Sequence, residues 1–309
     1  MFGSGDAFAY AECGGCGSVR LLDVPDDLAP FYPTDYYSID ADPETILGRF
    51  PVRQFVRHVG RSALSGRRLS ARAATGMLKK REFQTLMTIL SSVRLAGLPR
   101  GRSSSVLDVG CGSGVLLYAL SLTGLDRVVG IDPFAPGDRT FDTGAQIRKQ
   151  DLSDARGPFD LVMLHHSLEH VPDPAETLSQ ARDVLTDDGR ILVRMPTVSS
   201  HAFRTYRESW VQLDAPRHLS VLSREGMAEL CRSQGLEIEH LRDDSTSFQY
   251  WGSEQVRRGI SLEDPRSYFV DPSASVFGKD EVARWQRDAT EANRSGDGDQ
   301  AVWVLKPAH

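Results

Sequence analysis

The run Val106-Leu107-Asp108-Val109-Gly110-Cys111-Gly112-Ser113-Gly114 constrains this chain more than any other. A short apolar strand enters a turn with glycine at alternate positions, and Val115 to Leu122 then reads as a helix. Glycines let the backbone take strained angles and approach a ligand closely. The helix that follows presents free N–H groups to anionic or polar ligand atoms.

The rest of the chain supplies the alternation such a unit needs. Val128 to Asp132, Phe159 to Leu164 and Arg190 to Met195 read as strands, with Gln146 to Leu152 as a short one. Ala175 to Leu185 reads as a helix and Asp187-Asp188-Gly189 as a turn. Ser223 caps a helix to Gln234, Gly235 stops it, and Leu236 to Leu241 forms a strand. Ala301 to Leu305 is the last strand. This pattern predicts a doubly wound α/β fold around a mostly parallel, seven-stranded sheet with an antiparallel final strand. The 309 residues divide into an irregular segment 1–43, a helical extension or cap 44–100, and a main domain 101–309 with a polar insertion about 245–299. Within the extension, Phe55, Val56 and Val59, then Leu86, Ile89, Leu90 and Val93, fall at helical spacing.

The turn departs from the dinucleotide fingerprint G-x-G-x-x-G, because its third glycine, Gly114, comes one residue early. Asp108 at the strand end suits a ligand with a cationic group. Asp132 closes the next strand, where an acid grips ribose hydroxyls. With these features, residues 104–241 and the last strand resemble the class I S-adenosylmethionine-dependent methyltransferases, whose fold is Rossmann-like. The resemblance implies S-adenosylmethionine as cofactor. Asp108, Gly110, Cys111, Gly112 and Gly114 would lie by its methionine part, Asp132 and Pro133 by the ribose, and Asp151 and Leu152 by the adenine. The run His165-His166-Ser167-Leu168-Glu169-His170-Val171-Pro172-Asp173-Pro174 would close the floor below the methyl group, with His165 against the cofactor.

The fourth strand does not end in Asn-Pro-Pro-Tyr or Asp-Pro-Pro-Tyr, the sequences that cradle planar amines in DNA and some protein methyltransferases. Trp210 to Leu219 instead resembles the acceptor-side loop of small-molecule methyltransferases of quinone, sugar and polysaccharide pathways. In those enzymes the residue matching His218 faces the substrate. A hydroxyl acceptor benefits from a base near neutral pKa, which makes histidine the natural choice. His218 is the first candidate and His166 the second, with Tyr206, Trp210 and Arg217 as neighbours suited to a polar ring. The expected reaction is methyl transfer to a hydroxyl of a sugar or another secondary metabolite. Two alternatives stay open: an RNA or protein methyltransferase, and a cofactor-binding protein without turnover.

Some relatives with Glu-x-x-Glu-His at the fourth strand bind a divalent metal. Here His166 stands at the first acid, so no metal is expected. Cys13-Gly14-Gly15-Cys16-Gly17 resembles one knuckle of a zinc ribbon, but structural zinc takes four ligands and only one pair is present. Cys111 and Cys231 read as inert core residues. Arg49, Arg53, Arg57 and Arg61 recur every fourth residue and would form one cationic helical stripe, fit for phosphate or a polyanion. Arg67, Arg68, Arg72, Lys79, Lys80 and Arg81 extend that basic stretch, with Glu82 as its one acid. The overall charge of -6 stands against bulk nucleic-acid binding, and the missing Asn-Pro-Pro-Tyr or Asp-Pro-Pro-Tyr sequence against DNA as a partner. No apolar run approaches the roughly 18–20 residues of a membrane span. Met1 to Tyr10 lacks a cationic start and an apolar core, so a cytoplasmic location is expected.

Overall fold

A computed structural model describes residues 5–32, 41–64, 81–98 and 101–308. Arg67, Arg68, Arg72, Lys79 and Lys80, and the run Pro33 to Tyr37, lie outside the described residues.

The central sheet forms from the apolar runs seen in sequence. Its strands are β3 (Ser105–Val109), β4 (Arg127–Ile131), β5 (Arg139–Thr140), β6 (Gln146–Arg148), β7 (Phe159–His165), β8 (Leu185–Pro196), β10 (Leu236–Asp243) and β11 (Gln300–Pro307). Their order is β10-β11-β8-β7-β3-β4-β6-β5. Neighbours from β8 to β6 pair in parallel, and β11 runs antiparallel to β8 and β10. The sheet thus has eight strands rather than the expected seven. The extra one, β5, is two residues long and folds back antiparallel on β6, too short for any hydrophobic period to reveal it. The expected strand Gln146 to Leu152 ends at Arg148, because Asp151 instead opens a single 3-10 turn, Leu152–Asp154.

Central strands are buried on both faces, as continuous apolar runs require. Helix α4 (Val115–Leu122) starts at Gly114 and is buried from Leu117 to Leu122 against one face. On the other face, α5 (Pro174–Asp183) is capped by Asp173, which accepts from the amides of Ala175 and Glu176, with Pro174 in its first turn. Helix α7 (Arg224–Ser233) is capped by Ser223 and followed by Gly235 at φ 65°. No regular helix covers the connection from β6 to β7. A cavity of about 250 Å3 lies there, against Leu107, Val129, Ile131 and Phe159.

Among the described residues, three α-helices precede β3: α1 (Pro43–Leu47), α2 (Val52–Leu64) and α3 (Arg81–Ala96). Val56, Val59, Ile89, Leu90 and Val93 are buried, so the helical spacing faces the core. Of the arginine stripe, Arg49 lies ahead of α2, and Arg53 and Arg61 make structural contacts. Arg53 pairs with Asp142, which also accepts from the Tyr118 hydroxyl at 2.9 Å. Arg61 donates to the Thr123 carbonyl at 3.1 Å, and the Nε atom of Arg57 is buried. These contacts fasten α2 to the glycine-turn side of the sheet, so the stripe gives no support to a polyanion site.

The N-terminal segment is less irregular than expected. β1 (Tyr10–Glu12) and β2 (Val19–Leu21) form a hairpin, and β2 pairs with β9 (Ser220–Val221). The polar stretch near 245–299 contains two amphipathic helices, α8 (Phe248–Arg257) and α9 (Lys279–Ser295). Their buried Tyr250, Trp251, Val282 and Trp285 join Phe203, Tyr206 and Trp210 in a separate hydrophobic cluster. Phe203 and Tyr206 belong to the short helix α6 (His201–Tyr206). Among the described residues no helix is long and apolar enough to cross a membrane.

Glycine at 114 is demanded by the protein itself. Its φ is 81°, and a Cβ there would sit 2.8 Å from Ile147 Cδ1 and 3.1 Å from Phe141 Cζ. Gly114→Ala should therefore lower unfolding free energy by about 1–3 kcal/mol with no ligand present. A urea titration showing wild-type stability would contradict this placement.

Candidate functional site

The carboxyl ends of β3, β4, β7 and β8 lie side by side, the edge at which open α/β sheets bind ligands. After β3 the chain turns through Gly110, Gly112 and Gly114 at φ 74°, 52° and 81°. The amides of Gly110 and Cys111 both donate to the Ile131 carbonyl, at 2.9 and 3.2 Å. The Gly112 amide donates to Asp132 Oδ2 at 2.9 Å, and the Phe134 amide to Asp132 Oδ1 at 2.8 Å. The end of β4 thus holds the glycine turn through one carboxylate. Gly110 packs on Ser167, whose Cβ would be 2.8 Å from an added Cβ. Cys111 packs on Gly130, and burial raises its thiol pKa, as expected of an inert cysteine.

Asp108 is 3% exposed beside this turn. Burial, then the charge of Asp132, push its carboxyl up to about 7. A buried acid beside a half-buried one marks a place for a cation or for hydroxyl donors. Pro133 and Phe134 follow on the exposed surface. Asp151 is exposed at the start of its 3-10 turn and Leu152 is buried.

The end of β7 is denser in titratable groups. His166 has φ 52°, uncommon for a residue with a side chain. Its Nε2 faces Arg194 Nη1 at 2.6 Å, and its Nδ1 faces Glu169 Oε1 at 3.1 Å. An arginine can only donate, so Nε2 accepts and Nδ1–H donates to Glu169. Both ring nitrogens of the second sequence candidate are therefore engaged. Arg194 in turn pairs with Asp244 at 2.7 Å, both nearly buried. His165 is packed edge-on against His166 at 5.0 Å between centroids. Burial, then Arg194 and His166, hold its pKa well below the ordinary histidine value.

Glu169 is completely buried. Burial alone would raise its carboxyl, but the bond from His166 and the imidazoles of His166, His170 and His218 outweigh it and hold it at about 2. His170 Nδ1 meets the Arg217 carbonyl at 2.9 Å, and His218 Nδ1 meets the Gln212 carbonyl at 2.7 Å. A carbonyl oxygen can only accept, so each Nδ1 carries a hydrogen. The two rings meet edge to face at 4.8 Å. Burial, then His170, depress His218 to about 4 against the opposing pull of Asp214 and Glu169. His218 is neutral near pH 7.

The loop carrying His218 is tightly fastened. The Tyr10 hydroxyl donates to the His218 carbonyl at 2.7 Å, and the Leu219 amide to the Glu169 carbonyl at 2.8 Å. Arg217 forms a buried pair with Asp214 and lies over the Tyr32 ring. Trp210 and Tyr206 do not surround His218 as their sequence proximity suggested. They are buried in the cluster formed with α8 and α9, where Trp210 Nε1 donates to Asp299 at 3.1 Å. Glu169 and Arg194 are the residues that sequence reasoning left without a role. Glu169 was visible in the Leu-Glu-His run, whereas nothing in sequence ties Arg194 to His166.

Cys13 and Cys16 lie in the β1–β2 turn, closed by the Gly17 amide on the Cys13 carbonyl at 2.7 Å. The amides of Cys16 and Gly15 hold the exposed Cys13 thiol below its ordinary pKa. Among the described residues, this pair has no third metal-ligating neighbour.

Comparison with known proteins agrees with this geometry. The sequence model of a family described as "Methyltransferase domain" matches residues 78–241, more than half of the chain. A ubiquinone biosynthesis O-methyltransferase of Neisseria meningitidis serogroup C is 28% identical over 180 residues, covering 52% of this chain and 76% of that protein. A ubiquinone biosynthesis O-methyltransferase of Aromatoleum aromaticum is 28% identical over 165 residues, covering 48% and 69%. Among solved structures, the O-methyltransferase of a trans-AT PKS multienzyme of Brevibacillus brevis, in complex with S-adenosyl-L-homocysteine, is 17% identical. The alignment covers 81% of this chain and 79% of that one, with a TM-score of 0.43. This chain belongs to the class I S-adenosylmethionine-dependent methyltransferases: it is an enzyme, and S-adenosylmethionine is its cofactor.

Proposed function

We propose that the protein methylates a hydroxyl of a small molecule, a sugar or another secondary metabolite. One observation carries this reading. An acidic glycine cradle, Asp108 to Gly114 with Asp132, lies by His170 and His218, of which His218 is held neutral, around a buried glutamate. The names of the relatives support oxygen as the methylated atom. They also favour a second reading for the acceptor, a precursor in ubiquinone biosynthesis.

When bound, S-adenosylmethionine supplies a methyl group on a sulfonium sulfur. The residues present fit it. Each oxygen of Asp132 accepts one backbone amide and keeps a lone pair for a ribose hydroxyl. Asp108, buried and raised, gains from a nearby ammonium group. The turn Gly110 to Gly114, with Cys111 packed away, gives backbone access to the methionine part. Pro133 would border the ribose, Asp151 and Leu152 the adenine, and His165 the floor beneath the reacting centre. In-line displacement needs positioning above all, and the fastened loop 210–219 provides it on the acceptor side. There His218 would receive the hydroxyl's hydrogen on Nε2, and Glu169 would stabilise the imidazolium formed.

His218→Ala should reduce turnover roughly 100- to 10,000-fold with cofactor affinity nearly unchanged. Radiolabelled methyl transfer to a panel of sugar and quinol acceptors measures the first, and calorimetry the second. A folded variant that turns over at the wild-type rate removes His218 from the chemistry.

Cofactor affinity should also depend on pH through Asp108. Its carboxyl titrates near 7 without ligand, and a bound cation favours the ionised form, so the bound-state pKa is lower. Affinity should therefore rise with pH up to about 7 and level off above it. Asp108→Asn should flatten that rise. Calorimetry from pH 5.5 to 8.5 that shows an equal slope in both proteins would refute the assignment.

A further inference from the structure

We propose that Cys13 and Cys16 are a thiol-modification site: the pair reacts with a low-molecular-weight disulfide of the glutathione class and closes a reversible bond between its own two sulfurs. Four features of the β1–β2 turn carry this inference, and none of them involves methyl transfer.

First, one sulfur is fitted to attack. Cys13 is exposed. The amides of Cys16 and Gly15 donate to its sulfur, and the Cys16 thiol does so as well, which favours the thiolate. The thiolate is the form that attacks a disulfide. Second, the other sulfur is held in place beside it. Cys16 is half-buried, and its Sγ also lies 3.2 Å from Ser18 Oγ. Ser18 Oγ accepts the Ser223 amide at 3.0 Å, and the Cys16 carbonyl accepts from the Ser223 hydroxyl at 2.5 Å. Gly226 of α7 leaves the room for this contact, since a Cβ there would sit 2.1 Å from Ser18 Oγ and 3.2 Å from Cys16 Sγ. Third, nothing shields the pair. Gly14 and Gly15 separate the two cysteines, and a Cβ at Gly14 would meet nothing within 4 Å. A tripeptide disulfide can therefore reach Cys13. Fourth, competing fates are poorly served. Among the described residues no third ligating group joins the pair, and structural zinc takes four. Burial raises the thiol of Cys111 and pushes that of Cys231 up to about 12, so both remain protonated and slow to react.

The exchange runs in two steps. The Cys13 thiolate attacks one sulfur of glutathione disulfide, the S–S bond of the reagent breaks, and one glutathione leaves as a thiolate that takes up a proton. Cys16 then gives its proton to solvent and attacks the Cys13 sulfur of the mixed disulfide. The second glutathione leaves and is protonated, and the Cys13–Cys16 bond remains. The pair is oxidised by two electrons, and the reagent is reduced to two glutathiones. Excess glutathione reverses both steps. In reducing compartments, disulfides of this transient kind serve redox sensing. The turn lies on the hairpin that holds the acceptor loop through Tyr10 and through the pairing of β2 with β9.

The test equilibrates the full reduced chain with mixtures of glutathione and glutathione disulfide, then quenches with acid, alkylates the free thiols and analyses the peptides by mass. The expected result is one disulfide within the peptide that holds Cys13 and Cys16. It should rise with glutathione disulfide and disappear with excess glutathione, while Cys111 and Cys231 stay alkylated. In Cys16→Ser a mixed disulfide of Cys13 with glutathione should accumulate instead. In Cys13→Ser, reaction at Cys16 should be slower by roughly tenfold or more. Cys13 and Cys16 that stay reduced in every mixture would overturn the proposal. So would a disulfide that joins two chains, a mixed disulfide that persists in the wild-type chain, or equal reaction of Cys111 and Cys231. One tightly bound zinc per chain that blocks the reaction would also overturn it, by assigning the pair to a metal. The wild-type measurement decides even if a serine variant fails to fold, and it needs no methyl acceptor.

Discussion

The site depends on one carboxylate, that of Asp132, which receives the Gly112 amide on one oxygen and the Phe134 amide on the other. Through these bonds the end of β4 sets the path of the turn that leaves β3. Glycines at positive φ make the path possible, and Ser167, Ile147 and Phe141 fill the space that side chains at 110 and 114 would need. The same interaction joins fold and function. A turn held this way presents its backbone to a ligand, and the acid that holds it keeps lone pairs for that ligand's hydroxyls.

The acceptor side is built by a different means. Its histidines stand on irregular chain, held by hydrogen bonds between segments distant in sequence. The N-terminal hairpin reaches the loop after β8 through Tyr10 and through the pairing of β2 with β9. Glu169 binds that loop by its carbonyl, and His166 and Arg194 link its side chain to Asp244 at the end of the sheet. A polar network of this kind is rigid when every member is partnered. The open Oε2 of Glu169 is therefore its most informative atom.

Much of the fold was legible because hydrophobic periodicity and capping are local. Ser223 and Gly235 mark helix ends in the structure as their residue types predict, and the structure adds Asp173 as the cap of another helix. What escaped was short or distant. Two-residue β5 has no period, the helix at 279–295 is dense in charge, and that at 248–257 sets a glycine, a serine and two glutamines among its aromatics. The glycine turn and Asp132 were legible as a unit because they lie in successive strands of one crossover. The surroundings of His218 were not. Trp210 and Tyr206 are near it in sequence and buried elsewhere, while His170 and Glu169, some fifty positions upstream, are its neighbours in space. The arginine stripe misled for a related reason: helical spacing puts four cations on one face, but Arg49 lies ahead of the helix, and Asp142 and the Thr123 carbonyl engage Arg53 and Arg61.

The central claim is that the Asp132-braced turn binds S-adenosylmethionine. Titration calorimetry with S-adenosylhomocysteine on the wild-type chain and on Asp132→Ala tests it most directly. The account predicts one site per chain, with affinity lower in the variant by about 2–4 kcal/mol, since charge-assisted bonds to two hydroxyls are lost. Equal affinity in the two proteins, or a preference of the wild-type chain for NAD, would contradict it.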